Sequence, residues 1–270
     1  MAITDINEYA HLTDADVEAL GAELDALRRE IEADRGLRDV RYLRRTIVAH
    51  RALEVVGRVA LLGSHKRSLW WLGTGSLALS KIIENMELGH NVMHGQWDWM
   101  NDPEVHSTTW EWDMVCASPH WKHSHNYIHH KYTNVVGMDD DVGYKILRVT
   151  RDEPWEPRRA LQPLFNVLLA LTFEWGIGLH DLALKDVIEG KKSKEEAAPQ
   201  ITLFLRKVGR QVAKDYVLFP ALTGPFFPLT LAGNATANLV RNVWAFNIIF
   251  CGHFPAGVAT FSEEECEDES

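Results

Sequence analysis

Apolar residues recur with a helical period over the first sixty residues of the chain. Thr13 precedes an acidic first turn, and apolar residues up to Ile31 follow at spacings of three and four. This spacing is typical of an amphipathic helix with one apolar stripe, which Gly36 would end. A second amphipathic helix is predicted from about Asp39 into the apolar run at residues 55–62. We expect both helices to pack against the rest of the protein, the alternative being a helix for a membrane surface or a partner.

Uncharged, largely apolar runs occupy much of the remaining chain, at residues 68–80, 160–173, 216–240 and 242–254. The third has twenty-five residues without a charge and is broken by prolines, which membrane helices tolerate. A full span needs about twenty apolar residues, so the first run is also compatible with a core helix. Tryptophans flank that run, and indoles favour the membrane–water boundary. The pattern predicts an all-α integral membrane protein built from helical hairpins.

A charged segment at residues 185–207 separates the apolar runs. Its lysines fit the tendency of cytosolic loops to be positive. We interpret this segment as a solvated cytosolic loop or helix that joins two apolar hairpins. The sequence shows no internal repeat and no low-complexity linker, so a single domain is the simplest account.

The charge of the chain and its cysteines exclude several classes of protein. The net charge is −10 and no basic motif is present, so nucleic acid is not an expected partner. The three cysteines, Cys116, Cys251 and Cys266, suggest neither a disulfide framework nor a thiolate metal site. Residues 1–11 carry acids and no apolar core, so we expect no secretory signal. A reducing cytosolic environment is the expected one.

Histidines are concentrated in the middle of the chain, where eight of the thirteen lie between His90 and His130. They include two boxes about thirty residues apart, and residues four apart share one face of a helix. The boxes offer five imidazoles, which are His90, His94, His125, His129 and His130. Imidazoles that converge from two helices predict a site for one or two metal ions, although imidazole ligands do not identify the metal.

Polar residues near the boxes could orient the imidazoles through hydrogen bonds to the second ring nitrogen. For each carboxylate, an ordinary helix-terminal or surface charge is an equally good interpretation. The candidates for this supporting role are Glu87, Asp98, Asp113, Asn126 and Asn134.

Four segments of the chain have a recognisable pattern. Residues 87–95 read ELGHNVMHG and residues 125–134 read HNYIHHKYTN, and they are similar to two histidine boxes of one enzyme family. Residues 137–144 (GMDDDVGY) and 250–255 (FCGHFP) continue the likeness. Over essentially its whole length the chain resembles the membrane-bound fatty-acid desaturases, and among them the bacterial acyl-CoA desaturases of the stearoyl-CoA or linoleoyl-CoA type.

This resemblance implies a helical membrane protein with about four spans and a cytosolic cap that holds two iron ions. His253 resembles a further family ligand and would bring the set to six histidines. The family introduces a cis double bond into a fatty acyl-CoA or acyl lipid, using O₂ and two electrons from a separate donor such as a reductase with a ferredoxin-type carrier. The metal site would face the cytoplasm of a bacterial cell, with membrane lipid around the helices.

The sequence departs from the family pattern at its end. The family carries a third box, His-x-x-His-His, well beyond the segment at 250–255, and none occurs before Ser270. We therefore expect a C-terminally truncated desaturase that does not hold both irons properly and is inactive alone. Two alternatives stay open, a histidine-box hydroxylase of fatty acids or alkanes and a non-catalytic metal-binding membrane fragment.

The predicted organisation is one desaturase domain, incomplete at its C-terminus, over residues 1–270. The N-terminal amphipathic helices occupy residues 1–52. The membrane helices and the metal-binding cap occupy residues 53–254. An acidic tail follows at residues 255–270.

Overall fold

The computed structural model describes residues 9–151, 153–182, 184–188, 190, 192–255 and 257–267. The start of the N-terminal region, parts of the charged segment and the end of the acidic tail lie outside these residues. Within them the chain is helical, and its only strand-like pairing is a bridge between Val135 and Phe261. The α-helices of four or more residues among them are α1 (Asp14–Asp34), α2 (Leu37–Leu62), α3 (Arg67–Ile82), α4 (Ser118–Trp121), α5 (Gln162–Leu171), α6 (Phe173–His180), α7 (Leu184–Ile188), α8 (Lys194–Val212), α9 (Phe227–His253) and α10 (Glu263–Glu267).

Helix α1 forms as predicted, but its apolar stripe is not packed. The Thr13 hydroxyl caps the helix by accepting a hydrogen bond from the Asp16 amide at 3.3 Å. Leu24 and Ile31 are 57% and 59% exposed, and the helix contains no buried residue. The expectation that α1 packs against the rest of the protein is therefore wrong, because no described element covers the stripe. Local capping and side-chain pairs within α1 stabilise this helix instead.

Helices α2 and α3 form a tight antiparallel hairpin. Helix α2 runs to Leu62, as the apolar pattern predicts. At the crossing, a Cβ atom on Gly57 would lie 2.6 Å from the Leu77 side chain and 3.0 Å from the Gly73 carbonyl oxygen. A Cβ atom on Gly73 would in turn meet Leu61 at 2.7 Å. The two glycines therefore let the helix backbones approach closely, as small residues do in membrane helix pairs.

The segment after α8 contacts this hairpin through a buried carboxylate. Helix α8 continues as a π-helix over Ala213–Leu218, and the Asp215 side chain in it is completely buried. Arg58 of α2 donates to its carboxylate at 2.7 Å, and Lys81 of α3 donates at 2.9 Å. The Asn238 amide of α9 adds a hydrogen bond at 3.1 Å. One carboxylate thus joins three other helices.

A second buried ion pair lies nearer the histidines. Arg241 of α9 pairs with Glu174 of α6, and both residues are 1% exposed. Arg241 also donates to the Asn85 side-chain oxygen at 2.9 Å. Glu174 accepts a hydrogen bond from the Val115 amide at 3.2 Å. This ion pair therefore ties α6 and α9 to the loop before α4 and to the extension of α3.

The apolar runs form helices, and one of them is broken at a turn that contains Pro225. The run at residues 216–240 divides at the 3₁₀ turn Gly224–Phe226, beyond which α9 starts. Among the described residues, no single helix has both the length and the apolar content to cross a membrane. The segments Pro157–Leu171 and Phe173–His180 meet that test only as a pair, with a bend of 99° between them.

Candidate metal centre

The first histidine box lies at the end of α3, where the α-helix changes to a π-helix. The helix continues as a π-helix over Ile83–His90 and ends with one α-helical turn at Asn91–Met93. His90 and His94 share one face, as their spacing predicts, with ring centroids 4.5 Å apart and Nε2 atoms 3.1 Å apart. Their ring nitrogens therefore converge on one point. Wider helical turns of this kind are frequent at functional sites.

The second box is built in the same way. Helix α4 continues as a π-helix over Lys122–His129. The rings of His125 and His129 stack with their centroids 5.1 Å apart. His130 projects from the next position, and its ring centroid lies 4.8 Å from that of His125 and 4.9 Å from that of His94. The tandem pair therefore contacts both its own box and the first one.

His125 joins the two boxes into one cluster. Its ring centroid lies 5.3 Å from that of His90 and 5.2 Å from that of His94. One donor atom from each of these three histidines lies within 4.8 Å of the other two. A second such group consists of His125, His129 and Asp141. Because the two groups share His125, the donors are arranged for one metal ion or for two neighbouring ions.

His253 reaches the same cluster from the end of α9. Its ring centroid lies 5.0 Å from that of His129, although the two residues are far apart in sequence. Its Nδ1 atom lies 2.7 Å from the carbonyl oxygen of Ile249. A carbonyl oxygen only accepts, so Nδ1 carries the proton and Nε2 is left as a donor for a metal. The structure thus brings together all six histidines that the sequence and the resemblance indicate.

Two aspartates contact the Nδ1 atoms of two histidines in the second box. Nδ1 of His129 lies 2.9 Å from Oδ2 of Asp139, and Nδ1 of His125 lies 3.3 Å from Oδ2 of Asp141. Carboxylates in this position fix the tautomer and orientation of metal-binding imidazoles. Neither aspartate was among the supporting residues predicted from the sequence. The available signal was the run of three acidic residues that begins nine residues after the box.

The two predicted asparagines form hydrogen bonds next to the histidine cluster. The Asn126 side chain donates to the Met93 carbonyl oxygen at 2.8 Å and so links the second box to the first. Asn134 has a left-handed backbone with φ of 63°, and its amide donates to Oδ2 of Asp139 at 2.9 Å. Its backbone thereby positions the carboxylate that holds His129.

The three predicted carboxylates have other partners. Glu87 accepts a hydrogen bond from the Tyr42 hydroxyl. Asp98 accepts hydrogen bonds from the Ser107 amide at 2.7 Å and the Ser107 hydroxyl at 2.6 Å. Asp113 pairs with two lysines, which are Lys81 and Lys214. These contacts tie loops and helices together around the boxes.

Burial and mutual repulsion keep two of the imidazoles neutral. Burial, followed by the neighbouring histidines, lowers the pKa of His90 to about 3 and that of His125 to about 2. Burial also acts against charge on His129, but the hydrogen bond to Asp139 and the nearby Asp141 outweigh it and raise the pKa of His129. Neutral imidazole is the form that binds a metal. The nitrogen donor set therefore fits a first-row transition metal, iron included.

An apolar cavity of about 60 Å³ adjoins the cluster. Three of the histidines, His90, His125 and His253, form part of its wall together with Asp141. The apolar part of the wall comes from Met86, Trp112, Met114, Trp121, Phe173, Ile177, Ala245 and Ile249. A largely apolar space beside transition-metal donors is suited to holding a hydrocarbon segment next to an oxidising centre.

Comparison with known proteins identifies the family of the chain. Residues 68–269 match the family model described as "Fatty acid desaturase". This region contains both histidine boxes, the two supporting aspartates and His253. No solved structure matches the chain significantly.

Curated relatives point in the same direction. The chain is 56% identical, over 98% of its length, to proteins named "NADPH-dependent stearoyl-CoA 9-desaturase" from two strains of Mycobacterium tuberculosis. It spans 63% of the length of those relatives. It is also 30% identical over 73 residues to a protein named "sn-1 linoleoyl-lipid 6-desaturase" from Synechocystis, covering 26% of this chain and 20% of that protein.

Proposed function

The chain belongs to the fatty acid desaturase family, and from this premise we propose that it acts in the desaturation of a fatty acyl chain, with an acyl-CoA as the substrate class. The reaction removes two hydrogens from adjacent CH₂ groups. Together with two electrons and two protons from a donor, these reduce O₂ to two water molecules. The names of the mycobacterial relatives support the acyl-CoA class.

The observation that carries this proposal is the contact between the six-histidine cluster and the apolar cavity. Trp121 lies in the cavity wall, and its ring centroid lies 4.5 Å from that of His125 and 5.3 Å from that of His90. An acyl segment in the cavity would therefore lie beside the donor atoms of both boxes. Such a segment offers no polar handle, so its position must be set by the shape of an apolar wall.

The residues of this chain have distinct roles in the proposed site. The six histidines would hold iron as neutral nitrogen donors, and Asp139 and Asp141 would keep the second box in its binding orientation. When bound, two irons supply the activation of O₂ that the reaction requires. An acyl chain bound against the apolar part of the wall would exclude water and so limit side reactions of the oxidant.

The electrons are proposed to come from a separate protein. The sequence carries no motif for a flavin, a nicotinamide or a haem. A reductase with a ferredoxin-type carrier is therefore the proposed donor, and the NADPH dependence in the relatives' name supports this choice. The carrier would dock on the cytoplasmic side, where the histidine cluster is proposed to face.

A membrane location is proposed for the apolar helices. The α2–α3 hairpin exposes large apolar side chains in one stretch of the fold, and exposed patches of this kind mark interaction surfaces. Those on the hairpin are Val55, Val59, Leu62, Trp71, Leu72 and Leu79. The apolar runs at residues 160–173, 216–240 and 242–254 would complete a stalk of about four spans.

The test is product analysis with the full chain. The protein is purified in a detergent or nanodisc, loaded with ferrous iron without air, and supplied with stearoyl-CoA, NADPH, a reductase, ferredoxin and O₂. The released fatty acids are analysed by mass spectrometry. A product that has lost two hydrogens, absent with a matched His125→Ala variant, supports the proposal and contradicts the expectation of an inactive chain.

The alternatives give different results in the same experiment. A product that has gained one oxygen atom and retains all other hydrogens points to a hydroxylase. Bound iron without any product over the His125→Ala background supports the non-catalytic alternative and overturns the proposed activity of this chain.

A further inference from the structure

Tyr144 has a buried hydroxyl with no partner among the described residues. The residue is 3% exposed, and its hydroxyl oxygen makes no hydrogen bond there. It also lines the apolar cavity, together with His90, His125 and Asp141. An orphaned buried donor is uncommon in proteins, where most such groups have a partner or an ordered water. The unpartnered hydroxyl of a residue that lines the cavity is therefore a candidate for binding a small ligand there.

The backbone holds Tyr144 in an uncommon conformation. Gly143, Tyr144 and Lys145 have φ angles of 61°, 53° and 57°, so three successive residues are left-handed. Bulky residues rarely adopt this region, and strained backbone of this kind clusters at functional sites. The turn is closed by a hydrogen bond from the Leu147 amide to the Gly143 carbonyl oxygen at 2.7 Å. The fold thus maintains a costly turn that directs a tyrosine to the cavity.

Aromatic packing fixes the ring from several sides. Its centroid lies 6.0 Å from that of Phe173, 6.3 Å from that of His180 and 6.5 Å from that of Phe254, each at a steep angle. A ring held in this way has little freedom to turn towards another partner. Burial, and the nearby carboxylates of Asp141 and Asp139, raise the pKa of Tyr144. The hydroxyl therefore keeps its proton and is available as a donor.

A small polar ligand fits this place. The cavity of about 60 Å³ has space for a dioxygen-sized molecule or a few waters. Apart from the histidines and a few other polar residues, the cavity wall is apolar. A phenol that donates a hydrogen bond there therefore has a strong influence on any polar molecule that enters. A hydrogen bond from Tyr144 would select a ligand that accepts.

We infer that Tyr144 is a binding residue for a dioxygen-sized ligand: its hydroxyl donates a hydrogen bond to a small acceptor held in the cavity beside the histidine cluster, with water in that place when no other ligand is bound. This inference rests on the proposed function, because it takes the histidine cluster as the metal centre. The residue would orient the small co-substrate relative to the acyl chain. Its contribution is made through the phenol oxygen alone.

Azide titration of the iron-loaded full chain tests the inference. Azide is a small acceptor that binds ferric iron and gives an optical charge-transfer band, so its dissociation constant is measured on the oxidised protein without turnover. Tyr144→Phe keeps the ring and removes the hydroxyl, and should weaken azide about fivefold to tenfold, the range expected from one hydrogen bond. Tyr127→Phe is the control, because Tyr127 is 55% exposed and does not line the cavity.

Iron content is measured first on every sample. Equal azide affinities in the wild type and Tyr144→Phe, at equal iron content, overturn the inference. If the wild type takes up no iron, the proposed function fails, and the hydroxyl is then examined in the metal-free protein by ultraviolet resonance Raman difference spectra between the wild type and Tyr144→Phe. A phenol that donates a hydrogen bond supports a cavity partner, whereas a free phenol refutes it.

Discussion

Asp139 is hydrogen-bonded to His129, with Oδ2 of the carboxylate 2.9 Å from Nδ1 of the imidazole. The same oxygen accepts a hydrogen bond from the Asn134 amide at 2.9 Å, and Oδ1 accepts one from the Asp141 amide at 3.0 Å. Asp139 as a whole is 4% exposed. The loop after the second box is therefore folded around one buried carboxylate, and that carboxylate sets the tautomer of a histidine in the cluster.

Replacing this carboxylate should weaken metal binding. In Asp139→Asn the negative charge behind His129 is lost, and the imidazole is no longer held with Nε2 as its free donor. Loss of such a partner typically lowers metal affinity roughly 10- to 100-fold. The affinity for ferrous or zinc ions is measured by competition with a chelator. Asp140→Asn is the control, because Asp140 pairs with the exposed Lys145, and an equal loss in both variants would contradict the assigned role.

His125 should be the most sensitive of the histidines. It belongs to both groups of converging donors, whereas His90 and His94 belong to one. His125→Ala is therefore expected to remove most of the bound metal, and His94→Ala to leave a larger part. Metal content is measured by mass spectrometry after gel filtration. His123→Ala serves as the control, since the exposed His123 stacks on Tyr127 at 5.7 Å, away from the cluster.

Much of this cluster could be predicted from the sequence because helices convert spacing into direction. Residues four apart share a face, and this rule places His90 with His94 and His125 with His129. The position of His253 came from the family likeness, since nothing in local spacing connects the end of α9 to the boxes. The family assignment was likewise visible in the motifs and is confirmed by the comparisons. The helical class is confirmed by the described residues.

The supporting residues were harder to predict, because they depend on loop paths. Glu87 is close to the first box in sequence, yet its carboxylate meets Tyr42. Asp139 is ten residues beyond its histidine, and only the folded loop brings the two together. Helix α1 shows the same limit at a larger scale, since an apolar stripe indicates a buried face without naming what covers it.

The ion pair between Arg241 and Glu174 should contribute strongly to the free energy of unfolding, because it joins helices around the cavity. Removing one partner, as in Arg241→Met, leaves Glu174 buried without its counter-charge and is expected to lower the free energy of unfolding by roughly 3–5 kcal/mol. The double variant with Glu174→Gln should recover part of this loss, because no isolated charge remains. Chemical unfolding in detergent, followed by tryptophan fluorescence, measures both.

An exposed pair provides the matched control. Arg28 and Glu32 face each other across one turn of α1 at 3.0 Å, with side chains 75% and 45% exposed. Arg28→Met should leave the free energy of unfolding nearly unchanged, because exposed pairs are solvated in both states. Similar losses in Arg28→Met and Arg241→Met would show that burial does not set the importance of the inner pair.

Glu84 should make the protein less stable as the pH rises towards neutrality. Burial, and then the charge of Asp113, raise the pKa of Glu84 from 4.5 to about 7. Between these values the unfolded chain releases this proton while the folded chain keeps it, so stability is highest below about pH 4.5 and declines up to about pH 7. The full decline is roughly 3 kcal/mol for a shift of this size.

The pH dependence of unfolding isolates this carboxyl group. Glu84→Gln cannot titrate, so its stability curve between pH 5 and pH 7 should be flatter than that of the wild type, whatever its absolute stability. The slope is the informative quantity, because the variant also alters the acceptors for the Asp113 amide and the Asn85 side chain. Glu18→Gln, on the exposed surface of α1, should leave the wild-type slope unchanged. Parallel curves for the wild type and Glu84→Gln would mean that Glu84 is ionised in the folded protein throughout this range.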